Sequence, residues 1–353
     1  LKWGLMGPPP PNRGSDGSAE LQRRVEALLR APPHLRARAL EDADPELCAH
    51  HGAVLAAVEA NGFALRYASE ALRGDPEVVL AAVKQAGLAL EFAAESLRAD
   101  RATVLTAVQG HGLALRFAAP ALCTDREVVC AAVRETSTAL QFAAEALRAE
   151  RSVVLLALQA NGCSLRHAAK ALCADRDVAF TAVRRIGLAL EFASEDIRSD
   201  CEVVLAAVER TGTALRFANG PEKDYEVVLA AVSQDGLALK FASEALRADR
   251  GIVLVAVQQN GRALCFASAD LREDFEVVLA AVTSNGAAIE FTSAELQGHQ
   301  EIRMAAERSL WGPTMVTAAH DRHRLLRDSL FPPSSPKGKV PSSPSPPTDR
   351  CGF

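Results

Sequence analysis

The chain has 353 residues, 39 of them basic and 44 acidic, with a formal net charge of −5 and 49% hydrophobic residues. This mildly acidic balance argues against a protein that holds nucleic acid through its phosphates, which calls for a basic excess. The eight cysteines form no Cys-x-x-Cys pair and none has a histidine at zinc spacing, so no metal is expected; no apolar run reaches the roughly 18 residues of a membrane helix.

In chain order, residues 1–18 are rich in proline and glycine and are expected to be a disordered N-terminal segment. They are too poor in apolar residues to read as a signal peptide. Residues 19–30, AELQRRVEALLR, place Leu21, Val25, Leu28 and Leu29 at helical spacing, and Pro32-Pro33 stops the pattern. A degenerate lead-in follows, with Asp44-Pro45-Glu46 as a helix start. Residues 19–49 are therefore read as an N-terminal helical cap.

From residue 50 the chain repeats itself. Residues 75–99, DPEVVLAAVKQAGLALEFAAESLRA, are followed by DRATVLTAVQGHGLALRFAAPALCT. Blocks start at Asp75, Asp100, Asp125, Glu150, Asp175 and Asp200, each 25 residues after the last, and after a one-residue deletion at Asp224, Asp249 and Asp274. Gly62, Gly87, Gly112, Ser137, Gly162, Gly187, Gly212, Gly236, Gly261 and Gly286 run in phase. Ten units, numbered 1 to 10 from His50, fill the array, and such a period is the signature of a solenoid.

Within a unit the opening Asp is a natural N-cap, and Pro76 and Glu77 suit a first turn. A helix is expected over residues 76–85, with Val79, Leu80 and Val83 on one side and Ala81 and Ala82 allowing close approach. Gly87 is expected to end it with positive φ. A second short helix should carry Leu90, Phe92, Ala93 and Leu97, its last turn 3₁₀-like. Neither helix is long enough to be stable alone.

Unit 7 departs from the pattern: after Phe217 it reads ANGPEKD, one residue short. Asn219-Gly220-Pro221 is a turn signature, so the second helix should fray there, by drift in a tolerant loop or, secondarily, as a hinge or docking notch. Ser137 stands in place of Gly, and His167 in place of Phe as a half-buried core substitute. Beyond unit 10, residues 299–330 are read as C-terminal capping helices, including an amphipathic stretch at 314–330 in which His320 and His323 lie on a solvated face. The Pro/Ser-rich tail 331–353 is expected to be disordered; Ser335, Ser343 and Ser345 precede prolines as candidate phosphorylation sites, and Pro341 begins a PxxP spacing.

On an otherwise repeated frame, the variable positions are the ones able to read a partner. The first such column ends the first helix: Lys84 and Gln85, Gln109 and His111, Arg134 and Glu135, Arg184 and Arg185, Glu209 and Arg210, Gln234, and Gln258 and Gln259 are the candidate partner-binding surface. A second column, Arg66, Glu91, Arg116, Gln141, Arg166, Glu191, Arg216, Lys240, Cys265 and Glu290, largely alternates in sign and is expected to form an inter-unit ladder of weak ion pairs. A third, Arg73, Arg98, Arg148, Arg198, Arg247 and Arg272, sits beside the Asp caps and Glu residues and should be used in structural pairing. No Gly-rich phosphate loop, nucleophile elbow or convergent acid pair is present, so the chain reads as a non-enzyme without cofactor.

The string D-x-E-V-V-L-A-A-V-x-x-x-G-x-A-L-x-F-A-S-E-x-L-R, well seen from Asp200 to Ser243, resembles the repeat of the domain-of-unknown-function family numbered 4116. The resemblance covers residues 50–296 and uses pairs of units, in keeping with the two-unit alternation of charge. It implies tandem arrays with no assigned activity and no catalytic residues to carry over. The expectation is an all-α solenoid of about ten 25-residue two-helix repeats over residues 50–298, right-handed and on the order of 100 Å long. The function expected is a non-catalytic, monomeric scaffold for another protein, cytoplasmic or nuclear, with no DNA or membrane partner. An RNA-binding helical repeat array is the alternative, disfavoured by charge.

Overall fold

The computed structural model describes residues 13–311. The expected tail with Ser335, Ser343 and Ser345, and the amphipathic stretch at 314–330, lie outside the described residues. Every element described is helical, and none is long and apolar enough to cross a membrane.

Each unit is built from three pieces. In unit 2 the long helix spans Pro76–Gln85, a 3₁₀ segment spans Gly87–Phe92, and a single α-turn spans Glu95–Arg98. The long helix begins where the Asp75 carboxylate accepts from the Glu77 and Val78 N–H groups, which takes up donors a helix start leaves open. Its apolar pairs Val78/Val79 and Ala82/Val83 are fully buried. It ends at Ala86, whose extended backbone (φ −146°, ψ 103°) turns the chain into the 3₁₀ segment. Long helices pack on long helices and 3₁₀ segments on 3₁₀ segments along the array. Leu65, Leu90, Leu115, Leu140, Leu165 and Leu190 form a continuous buried file between the two layers.

Two sequence expectations are corrected. In unit 2 the 3₁₀ geometry belongs to the Gly87–Phe92 segment and the final turn is α-helical, the reverse of the expected order, whereas the final turns Leu122–Thr124, Pro221–Lys223 and Asp270–Arg272 are 3₁₀ as expected. Gly87 does not end the helix with positive φ, because Gly220 is the only described residue with positive φ. The glycine is needed for room instead: a Cβ built on Gly87 would overlap the carbonyl oxygen of Ala107 in the next unit. The same holds for Gly62, Gly112, Gly162, Gly187, Gly212, Gly236, Gly261 and Gly286 against the register-equivalent carbonyl of the following long helix.

Successive units are also tied by backbone. The Ala94 N–H donates to the Arg73 carbonyl (2.8 Å), and one such bond recurs at every step from Ser69 on Cys48 to Ser268 on Arg247, at 2.8–3.0 Å. The deletion in unit 7 is absorbed inside this scheme. Gly220 turns the chain at φ 115°, Pro221 becomes the buried residue of a short 3₁₀ turn, Pro221–Lys223, and the Ser243 N–H finds the Glu222 carbonyl at 3.0 Å. The second segment does not fray; the array continues through it.

Among the described residues, helices flank the ten units on both sides. The first helix spans Arg13–Arg30, starting six residues ahead of the expected position 19, since extending an existing helix adds a backbone bond for each residue fixed. Leu40 and Leu47 of the lead-in are buried in register with Leu65 and Leu72. At the other end the helix Gln300–Trp311 stacks as an eleventh long helix. Ile302 and Ala306 are buried against unit 10. Arg303 and Glu307 stand where Val79 and Val83 stand in unit 2, so this helix carries charge at two positions that are apolar within the array.

Candidate interaction surface

The array places side chains in files because each register position recurs on adjacent elements. The first candidate column lies along the C-terminal ends of the long helices, and all of its residues except the half-buried His111 are exposed. Its members divide into two groups. Gln85 Oε1 accepts from the Gly62 N–H (2.5 Å), Gln234 Oε1 from Gly212 (2.6 Å) and Gln259 Oε1 from Gly236 (2.8 Å). Ser284 and Ser309 hydroxyls take the same part for Gly261 and Gly286. These glutamines thus bridge units. His111 Nδ1 accepts from the Leu113 N–H (3.3 Å) and caps its 3₁₀ segment, as Asn61, Asn161, Asp235, Asn260 and Asn285 do in theirs.

Lys84, Gln109, Arg134, Glu135, Arg184, Arg185, Glu209, Arg210 and Gln258 project outward with no side-chain hydrogen bond or ion pair among the described residues. The Arg184 guanidinium carbon lies 5.9 Å from the Phe180 ring centre on its own helix. These residues form a polar strip of mixed sign along the array.

The charge ladder exists, but not along the second column. It runs along the opposite, N-terminal ends of the long helices, where the residue after one cap reaches the next unit's cap. Arg101 Nε meets Asp125 at 2.8 Å, Arg126 meets Glu150 at 2.8 Å, and Arg176 meets Asp200 at 2.8 Å. Arg151 reaches Asp177 at 3.0 Å, and Arg250 reaches Asp274 at 3.4 Å. Arg101, Arg176 and Arg250 also pair with Glu127, Glu202 and Glu276. The Arg101 and Arg176 guanidinium groups, with the backbone donors of the helix start, hold the Asp125 and Asp200 carboxyls below the usual carboxylate range. The sequence carried the signal in arginine recurring directly after the cap.

In the second column the expected pairs do not form, because the cations turn onto rings. Arg66 lies 5.1 Å from the Tyr67 ring centre and 6.0 Å from Phe92, Arg116 lies 5.3 Å from Phe117, and Arg216 lies 4.3 Å from Phe217. Nor do the third-column arginines pair with the caps. The Nε atoms of Arg73, Arg98, Arg148, Arg198, Arg247 and Arg272 are buried without a hydrogen-bond partner. Cysteines occupy the same register in other units, where Cys123 and Cys173 direct their thiols toward the Leu115 and Leu165 carbonyls at 3.9 and 3.6 Å. Burial pushes both thiols above the ordinary cysteine value, which keeps them protonated and poor nucleophiles.

A shallow open hollow at the C-terminal end is lined by Leu279, Thr283, His299, Met304 and Arg308. Among the described residues no three His, Cys, Asp or Glu side chains come together as a metal site. The geometry offers extended surface.

Comparison with known proteins leads to one family. No curated protein and no solved structure matches the chain. The family model described as "Domain of unknown function (DUF4116)" matches six times, over residues 53–98, 100–148, 125–173, 175–222, 224–272 and 249–297. Those matches span most of the chain and follow the units just described, so the chain belongs to the DUF4116 family.

Proposed function

We propose that the chain is a non-catalytic scaffold that binds another protein along the polar strip at the C-terminal ends of its long helices. One observation carries the reading: chemically varied, exposed side chains stand in register on a frame whose internal positions hardly change. In units 4, 6 and 7 the strip offers Arg134 and Glu135, Arg184 and Arg185, and Glu209 and Arg210, which suits a partner of mixed charge. Side chains already held by the frame, such as Gln85, Gln234, Gln259 and His111, belong to its support. A monomer in the cytoplasm or nucleus is in keeping with seven free thiols among the described residues.

The test is affinity purification of the full chain, with and without ribonuclease, beside a variant carrying Arg184→Glu, Arg185→Glu, Glu209→Arg and Arg210→Glu. The expected outcome is a ribonuclease-resistant partner that the variant loses. Retention of every partner by the variant sinks the reading. A second reading, an RNA-binding array, draws on arginines lying over half-exposed rings, an arrangement compatible with base stacking. Ribonuclease-sensitive recovery would favour it, against the net charge of −5.

A further inference from the structure

Three departures from the repeated pattern, of different kinds, fall within the two adjacent units 4 and 5. At Ser137 of unit 4 the array places a Cβ and a hydroxyl where the nine other units have glycine. At all nine glycines a Cβ would overlap the next unit's carbonyl, so units 4 and 5 cannot close to the same separation. Their long helices, Arg126–Glu135 and Arg151–Ala160, and their 3₁₀ segments accordingly meet over fewer residues than at any other junction between units.

The long helix of unit 5 also starts without its side-chain cap. Glu150 replaces Asp, and its longer side chain is drawn to Arg126 Nε (2.8 Å) and Ser152 Oγ (2.6 Å). The Val153 N–H falls back on the Glu150 backbone carbonyl at 3.1 Å. Finally, unit 5 carries Ser164 where the other units have alanine, fully buried (0% exposed) with no partner for its hydroxyl. A buried polar group left unpaired weakens the packing that surrounds it.

We infer that the junction between units 4 and 5 is a built-in opening point that divides the array into two separately cooperative blocks. In a repeat array, stability is a sum of unit terms and nearest-neighbour interface terms, so one weak interface lets the flanking blocks unfold apart. An evenly coupled, capped array frays from its ends and is most protected in the middle. This one has an interior minimum of protection, in spite of the backbone bond from Ala144 to Cys123 and that from Ala169 to Arg148.

The test is native-state hydrogen exchange on the full chain, read by mass spectrometry. Amides of Arg126–Glu135 and Arg151–Ala160 should exchange more than threefold faster than their register equivalents in Arg176–Arg185 and Cys201–Arg210. The variant Ser137→Gly, Glu150→Asp, Ser164→Ala restores residues that the array uses elsewhere and should abolish that difference. Gly187→Ser should create a second fast-exchanging junction between units 6 and 7. A difference of threefold or less in the unaltered chain overturns the inference. So does a difference that survives in the triple variant.

Discussion

At Gly87 the absence of one carbon sets the spacing of two units, because the Ala107 carbonyl occupies the space a Cβ would need. Gly87→Ala should therefore destabilise the chain by about 3 kcal/mol, at the upper end for an overpacked core, and urea unfolding followed by circular dichroism measures it. His167 presents a different case. It takes the place of a phenylalanine, and burial, together with Arg166 and Arg148, holds its imidazole below the ordinary histidine value. The folded chain then binds the proton less readily than the unfolded chain, so stability falls as pH drops through about 6.5 toward the folded value. His167→Phe should remove that contribution between pH 8 and pH 5, seen as a urea midpoint that falls less over this range than it does in the unaltered chain. Both positions stood out in the sequence by their register. The reason for the glycine did not, since the clash is with a residue 20 positions away on another helix.

Single elements owe their ends to side chains that serve two units at once. Asp200 caps its own helix through the Glu202 and Val203 N–H groups and receives Arg176 from the unit before. Asp200→Ala should cost about 1 kcal/mol as a lost cap. Arg176→Gln should cost no more than about 1 kcal/mol, since an exposed pair contributes little; thermal melts of the two variants give the comparison. The long helix and its cap were legible from the Asp-Pro-Glu start and the paired valines. The 3₁₀ segment was not, because Gly-Leu-Ala-Leu-Glu-Phe has the composition of an ordinary helix and only stacking against the next segment tightens it. For the same reason the glutamine bonds to glycine escaped notice: Gln85 and Gly62 are 23 residues apart and meet only when units stack.

For the array as a whole, the face of its last described helix bears on further stacking. Ile302 and Ala306 complete unit 10, while Arg303 and Glu307 break the apolar face that a further unit would need. Replacing both by valine, Arg303→Val with Glu307→Val, should expose a continuous apolar edge and drive association that rises with concentration, followed by sedimentation velocity. The tandem architecture was readable from the period alone. The candidate surface was readable only in part, as exposure identified the strip but not which of its members the frame had already engaged.

The backbone bond that recurs from Ser69 on Cys48 to Ser268 on Arg247 bears on how units can be exchanged. Its donor and acceptor belong to the main chain, so it makes no demand on side-chain identity. A unit added or removed would therefore leave the same backbone bond on either side. The family model fits in both phases, at 100–148 and again at 125–173, so a two-unit match begins equally well at either of two neighbouring units.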